Sequence, residues 1–217
     1  MRAERNGPRA LAVAVRRLLP ATDRRGQPLP RLWLFSDPAR LPDPCAAAAR
    51  LPPGAAVVAR GLEPAVLAAL AALARRRRLR LLVAGEGRLA LRHGAGLHLP
   101  DRYGARHLLP FLRARRRGLL LSAAAHGRAG LARGRRLSAD AVILSPVFPT
   151  ASHPGAPVLG PFRWAALARR AGRPVLALGG LDAAGAARLP RRAAGVAAIT
   201  ALAGMWPARN SVSAMSR

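Results

Sequence analysis

A single parallel (β/α)8 barrel of the TIM type is the fold class this sequence predicts, and three observations carry the prediction. Eight short apolar segments, at 32–36, 55–60, 79–84, 96–99, 119–123, 141–144, 174–178 and 196–200, have the length and composition of buried strands. Stretches rich in alanine and leucine separate them, and strand–helix alternation calls for a parallel sheet, which at eight repeats favours closure over an open sheet. At 217 residues with 51% hydrophobic composition, the chain has enough apolar surface for one substantial core.

Taken in order, residues 1–29 are polar and arginine-rich around a short helix candidate at 8–19 closed by Pro20, and they form an N-terminal extension to a barrel spanning 30–204. The first strand ends in a Ser36-Asp37-Pro38 turn. Pro42, Pro44, Pro52 and Pro53 leave room for only about two helical turns after it. The clearest helix is 64–78, where Pro64 suits the first turn and Val66, Leu67, Leu70 and Leu73 repeat at helical spacing. At the other end Gly204, Trp206 and Pro207 shorten the eighth helix, and the helix at 8–19 is a candidate to cover the gap, with 205–217 a tail. Arginine clusters at 75–78, 115–117, 135–136, 169–170 and 191–192 close successive helices. Cations there complement the negative end of the helix dipole, and in this barrel helix C-termini point to the bottom face, away from the usual active site.

The formal net charge is +28, carried entirely by 37 arginines with no lysine. Together with heavy use of alanine, glycine and proline this is the signature of a GC-rich coding sequence, so the charge is largely compositional. Few aromatics (4%) and no nucleic-acid motif argue against a nucleic-acid partner. No apolar run reaches the roughly 18 residues of a membrane span. The run 11–15 is too short for a secretory core and meets Arg16-Arg17, so a cytoplasmic protein is expected. The single cysteine, Cys45, excludes an intrachain disulfide and a cysteine-based zinc site.

Function in such a barrel collects at the strand C-termini. Strand two ends at Arg60, readable as a rim ion pair to Glu63 or as a ligand contact; strand four carries His98, whose alternation points it into the barrel as a core or a catalytic histidine. Strand five offers Ser122 and, after three alanines, His126. The strand at 141–144 runs into Ser145-Pro146-Val147-Phe148-Pro149-Thr150-Ala151-Ser152-His153, where two prolines stop ladder pairing and present Thr150, Ser152 and His153. Strand seven runs into Gly179-Gly180-Leu181-Asp182 before an alanine-rich helix, and strand eight ends in Ile199-Thr200. Paired glycines let backbone N–H groups approach an anion, and loops seven and eight are the common phosphate site of this barrel.

The Pro-Val-Phe-Pro-Thr loop, the Ala177-Leu178-Gly179-Gly180-Leu181 turn, the segment from Gly195 to Thr200 and Gly96-Leu97-His98-Leu99 together resemble the thiamine phosphate synthase and TenI family over about 31–204. The resemblance implies a thiamine-biosynthetic enzyme that joins hydroxymethylpyrimidine diphosphate to thiazole phosphate with loss of magnesium-bound diphosphate. It matches Arg60 to a diphosphate contact, Ser122 to the strand-five serine, Thr150 and Ser152 to the loop hydroxyls, and Gly180, Ile199 and Thr200 to the thiazole phosphate site; His153 replaces the family's lysine.

The departures are informative. The family's strand-three Asn-Asp-Arg is Ala84-Gly85-Glu86 here, its Gly-Gln-x-Asp is Pro100-Asp101-Arg102-Tyr103, and its strand-two lysine is Leu62. Mg2+ is therefore implied for the synthase reaction without matched ligands, leaving Glu86, Asp101 or arginines to substitute. Two alternatives follow: a TenI-like thiazole tautomerase with His126 as acid/base and no diphosphate site, and a non-catalytic thiazole-phosphate-binding barrel.

Overall fold

The computed structural model describes residues 8–101, 104–115, 118–150, 155 and 157–204. Strands β1 (Leu32–Phe35), β2 (Ala56–Ala59), β3 (Arg80–Ala84), β4 (Gly96–Leu99), β5 (Leu121–Ala125), β6 (Ala141–Leu144), β7 (Val175–Leu178) and β8 (Gly195–Ala198) pair in sequence order. All eight pairings are parallel, and β8 returns to β1 to close the barrel. Helix α1 (Pro8–Ala14) precedes it; α2 (Cys45–Ala49), α3 (Pro64–Arg77), α4 (Gly87–Arg92), α5 (Leu108–Ala114), α6 (Arg128–Arg136), α7 (Gly160–Arg169), α8 (Ala183–Ala187) and α9 (Thr200–Ala203) each follow a strand.

Side-chain alternation along the strands makes two apolar layers. Trp33, Phe35, Val58, Leu82, Ile143 and Leu176 belong to a cluster that fills the barrel interior. Their neighbours in sequence, among them Leu34, Val57, Val83, Leu97, Val142 and Val175, pack outward under the helices. Both sides of each strand are apolar because both are covered, as the unbroken hydrophobic runs require.

Three local differences from the sequence expectation have physical causes. β5 starts at Leu121 rather than at 119 and runs to Ala125. Three leucines made the early boundary attractive, whereas hydrogen-bond register with β6 carries the strand through an alanine run of low β propensity. The helix at 8–19 is α-helical only to Ala14 and tightens into a 3-10 turn over Val15–Arg17. The helices after β1 and β8 are short, five and four residues, as the prolines around the first and Gly204 after the second led one to expect. Finally, the arginines are not all on the bottom face: Arg133 in α6 donates to the carbonyls of Leu99, Asp101 and Ala124 at the tops of β4 and β5.

Residues 8–29 are built into the barrel. Leu11, Val15 and Leu18 are buried, α1 packs against α8 and α9, and Arg17 donates to the carbonyls of Ala186 and Leu189. Residues 21–29 then fold back on themselves, with Leu29 N–H bonded to Ala21 O at 2.9 Å and Leu29 joining the interior cluster at the barrel bottom. There the buried Arg115 donates to Asp140 at 2.7 Å, and the same carboxylate accepts from Leu121 N–H at 2.8 Å. Among the described residues no helix is long and apolar enough to cross a membrane.

Candidate active site

Above the strand C-termini opens a cavity of about 1270 Å³. Its floor is the top interior layer, Phe35, His98, Ala124, Ile143, Leu178 and Ala197. Arg40, Arg60, Arg163 and Arg188 line it with Asp37, Asp101 and Asp182, so cations outnumber carboxylates among the described lining residues even with both histidines neutral.

The β6 loop and the glycine turn form one unit. The Ser145–Pro146 peptide is cis, and Val147 and Phe148 N–H groups donate to the carbonyls of Leu178 and Gly179 at 3.0 and 3.1 Å. Gly179 and Gly180 have φ of +103° and +60°. A Cβ on Gly179 would stand 2.8 Å from Pro146 Cβ, and one on Gly180 would overlap the Pro149 carbonyl oxygen. Only glycine allows both the backbone conformation and this approach. Phe148 lies over Gly185 of α8, and the Arg188 guanidinium sits 5.2 Å from its ring centroid. The N-terminus of α8 itself is taken by Asp182, whose carboxylate accepts from Gly185 N–H at 2.6 Å. The turn at Gly179-Gly180 lines the cavity together with Ile199 and with Thr200 at the start of α9.

Across the cavity, Ser36 at the end of β1 ties down β2: its Oγ accepts from Arg60 N–H at 2.6 Å and donates to Arg60 O at 3.1 Å. The partner of the Arg60 guanidinium is Asp37 at 4.0 Å, not Glu63. Hydrogen bonding from Arg40, opposed by desolvation, holds the Asp37 carboxyl down at about 2.

His98 is buried, with Nδ1 2.9 Å from Ser122 Oγ and its ring edge-to-face with Phe35. Burial, reinforced by the charges of Arg60 and Arg133, pushes its pKa down to about 3, so it is neutral at physiological pH. Ser122 is wholly buried beneath it and does not line the cavity, because β5 extends beyond it; the residues β5 presents to the cavity are Ala124 and His126. His126 is thus the first residue past the strand. Its Nδ1 lies 2.9 Å from the Ser145 carbonyl, which can only accept, so Nδ1 carries the proton. Its Nε2 lies 3.8 Å from Asp101 Oδ2.

Thr150 lines the cavity; Ser152 and His153 lie outside the described residues. The magnesium implied by the resemblance does not find a fitting donor set. Glu86 accepts from His107 at 2.7 Å and from Arg88 N–H at 3.0 Å, with Arg106 at 3.8 Å. Asp101 faces His126 and Arg133, and among the described residues no three metal-ligating side chains cluster.

Sequence reasoning missed Asp37, Arg40, Arg163 and Arg188. Arg188 belongs to none of the arginine clusters; it caps the C-terminus of α8, which has only five residues and so ends still beside the cavity. Arg163 sits in the first turn of α7, and that position was the available signal, since helix N-termini face the top of the barrel.

Residues 63–202 match the family model described as thiamine monophosphate synthase. The chain belongs to that family. Among solved structures, thiamine phosphate pyrophosphorylase from Pyrococcus furiosus is similar at 21% identity and a TM-score of 0.64, with 80% of this chain and 87% of that one covered. FabK from Thermotoga maritima (18% identity, TM-score 0.57, 80% and 58% covered) and the 2-keto-3-deoxy-6-phosphogluconate aldolase of Zymomonas mobilis (15%, 0.53, 88% and 85%) share the fold. At these identities the structural likeness speaks to fold alone, while the family model speaks to ancestry. No curated protein sequence matches the chain.

Proposed function

We propose that this family member joins hydroxymethylpyrimidine diphosphate to thiazole phosphate, releasing diphosphate and forming thiamine phosphate. The observation that carries the reading is the Gly179-Gly180 turn, packed against the Pro146–Pro149 loop and set beside Thr200 at the edge of an arginine-lined cavity. Backbone N–H groups at such a turn can meet a phosphate, and Arg188 and Arg163 add charge to the same cavity. Arg60, on the opposite wall, meets the diphosphate. As the carbon–oxygen bond to diphosphate breaks, the guanidinium stabilises charge growing on the leaving oxygens, and the thiazole nitrogen captures the pyrimidine carbocation. The apolar floor with neutral His98 leaves that cation no charged nucleophile from below.

The test is a product assay: saturating amounts of both substrates, with and without Mg2+, with thiamine phosphate read by mass spectrometry. Product is expected; none in either condition sinks the synthase reading.

One observation favours a second reading, a TenI-like tautomerase acting on a thiazole carboxylate phosphate. His126 has its Nδ1 proton engaged by the Ser145 carbonyl, which leaves Nε2 as the atom that exchanges a proton with a ligand. Conversion of that substrate in the absence of any pyrimidine compound separates the two. If both assays are blank while thiazole phosphate still raises the melting temperature, the barrel is a binding protein.

A further inference from the structure

The β2 arginine does not stand alone at the cavity wall. Asp37, just past β1, accepts from Arg40 Nε at 3.3 Å and from Arg40 Nη2 at 2.9 Å. Arg60 Nη1 lies 4.0 Å from the same Oδ2. The carboxylate is the most buried of the three, with its side chain 15% exposed against 30% for Arg40 and 42% for Arg60. Both guanidinium groups line the cavity, with one carboxylate between them. Arg60 is held further by the two backbone hydrogen bonds to Ser36 Oγ. Leu62, where the resemblance leads one to expect a lysine ammonium, packs instead against the hydrophobic core.

We propose that Arg40 and Arg60, bridged by Asp37, form a clamp that binds the diphosphate end of the substrate without a divalent cation. The inference rests on reading the cavity as a site for a pyrimidine diphosphate. Its physical basis has three parts. A divalent cation needs several oxygen ligands, and the carboxylate at this wall is already committed to Arg40. Planar guanidinium forks match the paired oxygens of a diphosphate and carry fixed charge at every working pH. The bridging carboxylate orders both side chains before the ligand arrives, which lowers the entropic cost of binding. Arg40, from the β1–α2 loop, thus supplies the second cation that Leu62 cannot.

The clamp is tested by calorimetric titration of the full-length protein with inorganic pyrophosphate, in EDTA and again in excess Mg2+. The same titrations are run on Arg40→Gln, with hydroxyethylthiazole phosphate as a companion probe. Binding in EDTA within about threefold of that in Mg2+ is expected, with a loss of roughly tenfold in Arg40→Gln, the equivalent of one charged hydrogen bond. Thiazole phosphate affinity is expected to be the same in both proteins, which also shows that the variant is folded. Pyrophosphate binding that requires Mg2+, or that Arg40→Gln leaves unchanged, overturns the clamp. If thiazole phosphate binds and pyrophosphate does not, the clamp falls and the phosphate half of the proposed function stands. If pyrophosphate binds through Arg40 but no thiamine phosphate forms, the clamp stands and the synthase reading falls.

Discussion

The Nδ1 proton of His126 is donated to the main-chain carbonyl of Ser145, 2.9 Å away, which joins the end of β5 to the start of the β6 loop. That bond fixes the tautomer and aims the other ring nitrogen at the rim of the cavity, 3.8 Å from Asp101. If His126 moves a proton in thiazole isomerisation, His126→Ala should lower that rate by roughly 10²–10⁴-fold, the usual size of acid/base catalysis. Binding of thiazole phosphate should change little. An unchanged rate removes His126 from the mechanism.

Gly180→Ala should damage the glycine turn proposed to hold the thiazole phosphate. Its φ of +60° disfavours any side chain, and the added methyl would displace the Pro149 carbonyl. Affinity for thiazole phosphate is expected to fall at least about tenfold, for a stability loss of about 1–2 kcal/mol from the backbone conformation alone. Calorimetry and thermal melts read the two effects separately.

Acid should weaken the fold in two windows. His98 titrates at about 3 when folded, against about 6.5 unfolded, so between those values the unfolded chain binds more protons and stability falls as pH drops. Asp37, lowered from 3.8 to about 2 chiefly by Arg40, adds stability above pH 3.8 that is lost as pH falls toward 2. Urea unfolding from pH 7 to pH 3 should show this slope, and His98→Gln should flatten its upper part.

The bottom of the barrel should matter to stability and not to ligands. Asp140→Ala leaves the Arg115 guanidinium buried without its carboxylate and orphans Leu121 N–H, at a cost of about 3–5 kcal/mol. Thiazole phosphate affinity should be unaltered in the variant that remains folded at low temperature.

Leu11→Ala tests whether the N-terminal helix belongs to the barrel. Leu11 is fully buried, and its truncation should cost about 2–4 kcal/mol. A loss under about 0.5 kcal/mol, the usual surface value, would mark α1 as a loosely attached appendage.

The barrel was legible because each strand is covered on both faces and so reads as an unbroken apolar run, with helices between. The glycine turn and the Pro-Val-Phe-Pro-Thr loop were legible because their constraints are local: φ, proline and neighbouring hydroxyls. What closure alone creates was not. Asp37 meets Arg60 only when β1 and β2 align, and the depth of Ser122 depends on where β5 ends, which a run of three leucines and three alanines does not mark. Arg188 required knowing that α8 is too short to carry its last residue to the far face.

A crystal structure with hydroxyethylthiazole phosphate bound tests the central claim most directly. The phosphorus should lie against the backbone of Gly180 and Thr200, with the thiazole ring over the floor formed by His98 and Ile143. A phosphate bound instead among the arginines that close α3 at the barrel bottom, with the upper cavity empty, would contradict the account.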